Sequence, residues 1–184
     1  MAPPAGWAPA IRAPLPGSVV GAAVVLLVMG VLTGLMGALL LLSGSIYEQL
    51  PDSTFNGLDP SQVDQIRNVS RAFVTGFGIV ALVFALAHLA SGVGVFRRAS
   101  WARIVGMVLS GLGVLFAGLI LVVTLIAAMG GMPVTNVGGS NLTPEQMEQA
   151  MRAGAIIGVV IFGVGFLAYL FTLVALIRNG RAFD

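Results

Sequence analysis

The chain has 184 residues, of which 58% are apolar and 9% are charged, whereas about a quarter of an ordinary soluble domain is charged. It contains no cysteine, which excludes disulfide bonds and thiolate metal sites. The nine basic residues are all arginine and lie beside apolar segments, so binding to nucleic acid is not expected.

Four long apolar segments dominate the sequence. Each has about 25 residues without an acidic or basic side chain, and about 20 helical residues suffice to cross a bilayer core. The segments are residues 18–42, 72–96, 104–129 and 153–177. This pattern predicts an all-α integral membrane protein, a four-helix transmembrane bundle with residues 18–181 as a single membrane domain.

The N-terminal residues 1–17 contain five prolines and are predicted to form a disordered cytoplasmic tail.

Each span that follows carries small residues four positions apart, as in Gly17/Gly21 and Gly30/Gly34 of the first span. Because small residues let helix backbones approach closely in lipid, this spacing predicts tight packing among the four helices. The sequence Ser43-Gly44-Ser45 predicts a turn after the first span.

An eight-residue pattern, L-[DT]-P-x-Q-[VM]-[DE]-Q, occurs at 58–65 and again at 142–149. Its second residue suits a helix N-cap, its proline suits the first helical position, and its glutamine completes a capping box. The cap residues are Asp59, Gln62, Thr143 and Gln146. They predict helices that begin outside the membrane and continue unbroken into the second and fourth spans, so that the outer loops are partly helical.

The two copies of this pattern are separated by 84 residues, which indicates an internal repeat. The first copy would be a helical hairpin over about 18–97 and the second a hairpin over about 102–181. Both hairpins would enter and leave on the same side of the membrane. The sequence therefore predicts two tandem hairpins of the same orientation, related by an axis along the membrane normal.

The turn between the second and third spans, residues 96–103, reads F-R-R-A-S-W-A-R. Its arginines and tryptophan suit the boundary between lipid headgroups and hydrocarbon. Together with the C-terminal arginines they form a predicted headgroup belt of Arg97, Arg98, Trp101, Arg103, Arg178 and Arg181. This turn and the four-span topology resemble those of small bacterial four-span membrane proteins of unknown function, a resemblance that implies no activity.

The arginines also predict the orientation. Six of them lie in the two terminal segments and the central turn, and three lie in the other two loops. Basic residues near the ends of spans favour the cytoplasmic side, so both termini are expected in the cytoplasm of a bacterial inner membrane.

The spans contain one histidine, His88, and an ionisable group inside a membrane is a candidate functional residue. The alternative is a neutral histidine bonded to Ser91 or to a hydroxyl group across the bundle. Ser91 lies three residues after His88, and Thr172 is the repeat partner of His88 at the 84-residue offset. With Ser110 of the third span, the candidate polar site comprises His88, Ser91, Ser110 and Thr172. No catalytic motif or metal-ligand set accompanies it, so no cofactor and no enzymatic activity are expected.

These features favour a non-enzymatic structural or accessory membrane protein that packs with itself or with partner membrane subunits in the lipid bilayer. The alternative is a small pore or carrier for a small neutral solute, lined by the sparse polar side chains of the spans. Transporters usually place charged residues against a water-filled cavity, and these spans have none.

Overall fold

The computed structural model describes residues 14–49, 59–129 and 143–183 of the chain. Within these ranges there are four α-helices, one short 3₁₀ helix and no strand. They are α1 (Gly17–Gln49), α2 (Pro60–Phe96), α3 (Ser100–Ala128), α4 (Pro144–Arg178) and the 3₁₀ helix Gly180–Phe183. Each α-helix is long and apolar enough to cross a bilayer, so the chain is a multi-pass membrane protein, as predicted.

The helices form two antiparallel hairpins, α1 with α2 and α3 with α4. The most extensive contacts lie within each hairpin, and smaller contacts of α2 with α3 and of α1 with α4 join the hairpins into a bundle. The end of the bundle that carries the start of α1, the α2–α3 turn and the end of α4 is called the terminal end. The opposite end is called the loop end. This arrangement confirms the predicted bundle of two tandem hairpins.

Both predicted helix starts at the loop end are present. At Thr143 the amide of Gln146 donates to the threonine hydroxyl at 3.3 Å, and the Thr143 amide donates to the Gln146 side chain at 3.0 Å. At Asp59 the backbone amide donates to the side-chain oxygen of Gln62 at 3.2 Å. Helix α2 then runs for 37 residues and α4 for 35, about 55 and 52 Å at 1.5 Å per residue. These lengths exceed the roughly 30 Å hydrocarbon core.

The predicted turn at Ser43-Gly44-Ser45 is wrong, because α1 continues through it to Gln49. The Ser43 hydroxyl donates to the carbonyl of Leu40 at 2.8 Å, and the Ser45 hydroxyl donates to that of Leu42 at 2.7 Å. Both side chains therefore bond within the helix instead of starting a turn. A Cβ on Gly44 would lie 3.4 Å from the hydroxyl of Thr75, so packing against α2 outweighs the weak helix propensity of these residues.

The α1–α2 interface is built from small residues seven positions apart. Those on α1 are Gly30, Gly37 and Gly44, and those on α2 are Gly78, Ala85 and Gly92. A Cβ on Gly37 would lie 3.0 Å from the carbonyl oxygen of Gly78, and one on Gly78 would lie 3.1 Å from that of Gly37. Of the residues predicted at four-residue spacing, Gly30 and Gly34 both face α2, whereas Gly17 has nothing within 4 Å. A seven-residue period is typical of left-handed helix pairs with a small crossing angle.

The α2–α3 turn at the terminal end is three residues long and closes with a Schellman motif. The amide of Ala99 donates to the carbonyl of Gly94 at 2.9 Å, and that of Arg98 donates to Val95 at 3.0 Å. Arg98 takes the left-handed conformation that this motif requires, with φ 58°. Because the turn is so tight, a Cβ on Gly94 would collide with Ala102.

An apolar cluster joins all four helices next to this turn. Its members are Val19, Ala22, Ala23, Leu26, Val95, Ala102, Ala175, Leu176 and Phe183. Two polar contacts surround it: Arg103 Nε donates to the carbonyl of Leu176 at 3.0 Å, and Asn179 donates to the hydroxyl of Ser18 at 3.1 Å. The apolar cluster and the bond between Asn179 and Ser18 therefore join the two hairpins at the terminal end.

We expect Gly78→Ala to lower the free energy of unfolding by about 1 to 3 kcal/mol, the usual cost of overpacking. The added methyl group would lie 2.8 Å from the Leu41 side chain and 3.1 Å from the Gly37 carbonyl oxygen. Reversible unfolding in mixed micelles would measure the change. Gly76→Ala is the matched control, because nothing lies within 4 Å of its Cβ and alanine favours a helix. Equal effects of the two substitutions would contradict the proposed interface.

Candidate functional site

Four polar side chains are buried in the described residues, and they are the four of the predicted polar site. The exposed fraction is 4% for His88 and 0% for Ser91, Ser110 and Thr172. They come from three helices: two from α2, one from α3 and one from α4. These residues and Tyr169, which bonds to His88, are called the polar layer.

The polar layer lies next to the apolar cluster, farther from the terminal end. A Cβ on Gly106 would touch the side chains of both Leu26 and Leu176, so these three residues mark one level of the bundle. Ser110 follows Gly106 by four residues and Thr172 precedes Leu176 by four, one helical turn in each case. Because α3 and α4 run antiparallel, these two hydroxyl-bearing residues fall at the same level.

His88 is bonded at both ring nitrogens. Its Nδ1 is 2.8 Å from the carbonyl oxygen of Phe84, and its Nε2 is 3.3 Å from the hydroxyl oxygen of Tyr169. A carbonyl oxygen only accepts, so we assign the ring proton to Nδ1. Nε2 then accepts a hydrogen bond from the tyrosine hydroxyl. A neutral histidine therefore makes both hydrogen bonds.

The partner of His88 is therefore a hydroxyl group across the bundle and not Ser91. Tyr169 belongs to α4, so this bond links the first hairpin to the second. The two rings are tilted by 60° with their centroids 5.9 Å apart. Sequence reasoning missed Tyr169, although a tyrosine hydroxyl in the middle of a span needs a buried partner and so pointed to one.

Gly113 of α3 provides the space for the Tyr169 ring. A Cβ at this position would lie 2.5 Å from Cγ of the tyrosine, which is closer than real Cβ contacts come. The ring therefore packs directly on the backbone of α3. This packing fixes the direction in which the Tyr169 hydroxyl points, and the hydroxyl reaches His88 of the other hairpin.

The three hydroxyl groups of the predicted site differ in their bonding. Thr172 donates to the carbonyl of Ala168 at 2.9 Å, as helical threonines commonly do. The hydroxyls of Ser91 and Ser110 are buried and have no hydrogen-bond partner among the described residues. Buried hydroxyls of this kind are commonly satisfied by ordered water.

The predicted headgroup belt divides into two groups. Arg97, Arg178, Arg181 and Trp101 are exposed at the terminal end. Arg103 is half-buried, because its guanidinium group binds the last turn of α4 through the Leu176 carbonyl. A cation at this position also interacts favourably with the negative end of the α4 helix dipole. Arg98 occupies the left-handed position of the α2–α3 turn.

The described residues contain no group of three or more His, Cys, Asp or Glu side chains that could hold a metal ion. No protein-family model matches the chain, and comparison with curated proteins and with solved structures finds no significant match. The polar layer and the terminal end are therefore interpreted from their own geometry.

We expect Tyr169→Phe to lower the free energy of unfolding by about 1 to 3 kcal/mol, because it leaves Nε2 of buried His88 without a partner. The ring and its packing on Gly113 are retained. In a His88→Leu background the same change should be neutral or stabilising, since it then removes an unpaired hydroxyl. A double-mutant cycle in mixed micelles measures this coupling. Additive effects would show that the two side chains are not bonded.

Proposed function

We propose that this chain is a non-enzymatic structural or accessory protein of the bacterial inner membrane. In this role it packs with copies of itself or with partner membrane subunits. The observation that carries the proposal is the bonding of His88, the one histidine of the chain, at both ring nitrogens inside the bundle. A histidine held in this way supports packing, because both ring nitrogens already have a hydrogen-bond partner inside the bundle.

The apolar cluster also favours a closed bundle. Val19, Leu26, Val95 and Leu176 are fully buried where the four helices meet. A solute that moved along the bundle axis would have to separate these side chains. Their burial therefore supports a packed interior rather than an open path.

The outside of the bundle offers surfaces for protein partners. Large apolar side chains on every helix are more than half exposed, including Leu35, Val83, Phe116 and Val160. Beyond the bilayer, the first turns of α2 and α4 add exposed polar groups at the loop end. A partner could thus contact this protein both within the membrane and outside it. The larger number of arginines at the terminal end supports an orientation with both termini in the cytoplasm.

We also propose that the two hairpins, about 18–97 and about 102–181, are an internal repeat. The matching capping boxes at Asp59 and Thr143 support this origin. The hairpins differ in register, since Phe166 lies against Gly118, whereas the 84-residue offset would bring Leu121 opposite it. Divergence between α1 and α3 would account for this difference.

A small pore or carrier for a small neutral solute is the second candidate function. The observation that favours it is the pair of buried hydroxyls, Ser91 on α2 and Ser110 on α3, that have no partner in the described residues. Such groups could bind a water molecule or a neutral solute in passing. This function would require the apolar cluster to open.

Photo-crosslinking in native membranes tests the packing proposal. A crosslinking residue would replace Leu35, Val83, Phe116 or Val160, one exposed position on each helix. We expect discrete protein adducts from one or two of these positions, because a specific partner covers one face. Leu109, which is 7% exposed, is the matched buried control and should give no intermolecular adduct. If all four exposed positions yield only lipid adducts, the proposal is wrong.

Solute flux separates the two candidate functions. Liposomes with the purified protein should take up glycerol or urea at the rate of protein-free liposomes, because the apolar cluster closes the axis. Stopped-flow light scattering would measure the rate. Flux above this background that is lost in His88→Ala would favour the pore or carrier instead.

A further inference from the structure

A groove lies at the terminal end, on the outer surface between the last turns of α2 and the start of α3. It has a volume of about 470 Å³ and is open along one side. Its lining is almost entirely apolar and includes Leu86, Leu89, Val93, Gly94, Arg97 and Trp101. This feature is called the terminal groove.

The α2–α3 turn determines the shape of the terminal groove. The left-handed conformation of Arg98 folds α3 back against the end of α2. Gly94 permits this close approach, since a Cβ there would collide with Ala102 and lie 3.1 Å from the Trp101 ring. The indole ring consequently forms one wall of the groove, and the apolar side chains of α2 form its floor.

Arg97 is the one charged residue in the lining of the terminal groove. It directly follows Phe96, the last residue of the second span, and so lies where hydrocarbon gives way to headgroups. Its side chain is exposed and makes no hydrogen bond or ion pair within the described parts of the chain. Arg103, by contrast, is already bonded to the carbonyl of Leu176.

We propose that the terminal groove binds one anionic phospholipid. An acyl chain would lie along Leu86, Leu89 and Val93, and the headgroup phosphate would accept hydrogen bonds from the Arg97 guanidinium group. The occupant follows from the chemistry of the groove: its apolar floor matches a hydrocarbon chain, and its single cation at headgroup depth matches a phosphate. This inference is independent of whether the protein packs with partner subunits.

Tryptophan fluorescence gives a direct test, because Trp101 forms a wall of the groove and the chain has only two tryptophans. Trp7→Phe leaves Trp101 as the sole tryptophan, and excitation at a wavelength that tyrosine does not absorb reports on it alone. In phosphatidylcholine vesicles, dibrominated phosphatidylglycerol should quench it at a lower mole fraction than dibrominated phosphatidylcholine. A basic residue near the membrane surface contributes about 1 kcal/mol, so Arg97→Gln should reduce this preference about five-fold.

Two further variants decide whether the groove itself is responsible. Arg178→Gln removes an exposed charge from the same end but outside the groove lining, and it should reduce the preference less than Arg97→Gln does. Ala90→Phe would fill the groove, since Ala90 is exposed and lines it, and it should weaken quenching by both lipids. Circular dichroism verifies that each variant keeps its helix content. The proposal is overturned if Arg178→Gln acts like Arg97→Gln, or if Ala90→Phe leaves quenching unchanged.

Discussion

The close approach of helix backbones is the constraint on which the rest of this structure depends. In lipid an apolar side chain gains little by moving onto another helix, so contact must come from tight packing and hydrogen bonds. Gly37 and Gly78 bring the α1 and α2 backbones together, to a distance at which a Cβ on either residue would press on the other's carbonyl oxygen. The seven-residue period of small residues repeats this contact along the first hairpin.

The second hairpin uses its glycines differently. On α3, Gly113 and Gly118 receive the aromatic rings of Tyr169 and Phe166 from α4. A glycine that faces a ring leaves room for a large side chain, whereas a glycine that faces a backbone brings two helices closer. In the polar layer, the packing of the Tyr169 ring on Gly113 holds the tyrosine hydroxyl where it reaches His88.

The terminal end joins the two hairpins and carries the terminal groove. Its apolar cluster is buried where the four helices meet, and polar contacts such as that of Arg103 with Leu176 fix α3 against the end of α4. Each polar bond inside a membrane replaces a costly unpaired group, although its net contribution is often below 2 kcal/mol. The side chains of Arg97 and Trp101 lie on the outer surface of this end, where they line the terminal groove.

The sequence by itself determined the four spans and the helix starts at Asp59 and Thr143, and it placed the polar residues His88, Ser91, Ser110 and Thr172 within the spans. These features are local, because span length and capping depend on neighbouring residues. Only the tertiary structure decided the pairing of His88 with Tyr169, the seven-residue glycine spacing and the bonding of Arg103. Each of these depends on the register between helices, and small residues on several helix faces are compatible with more than one register.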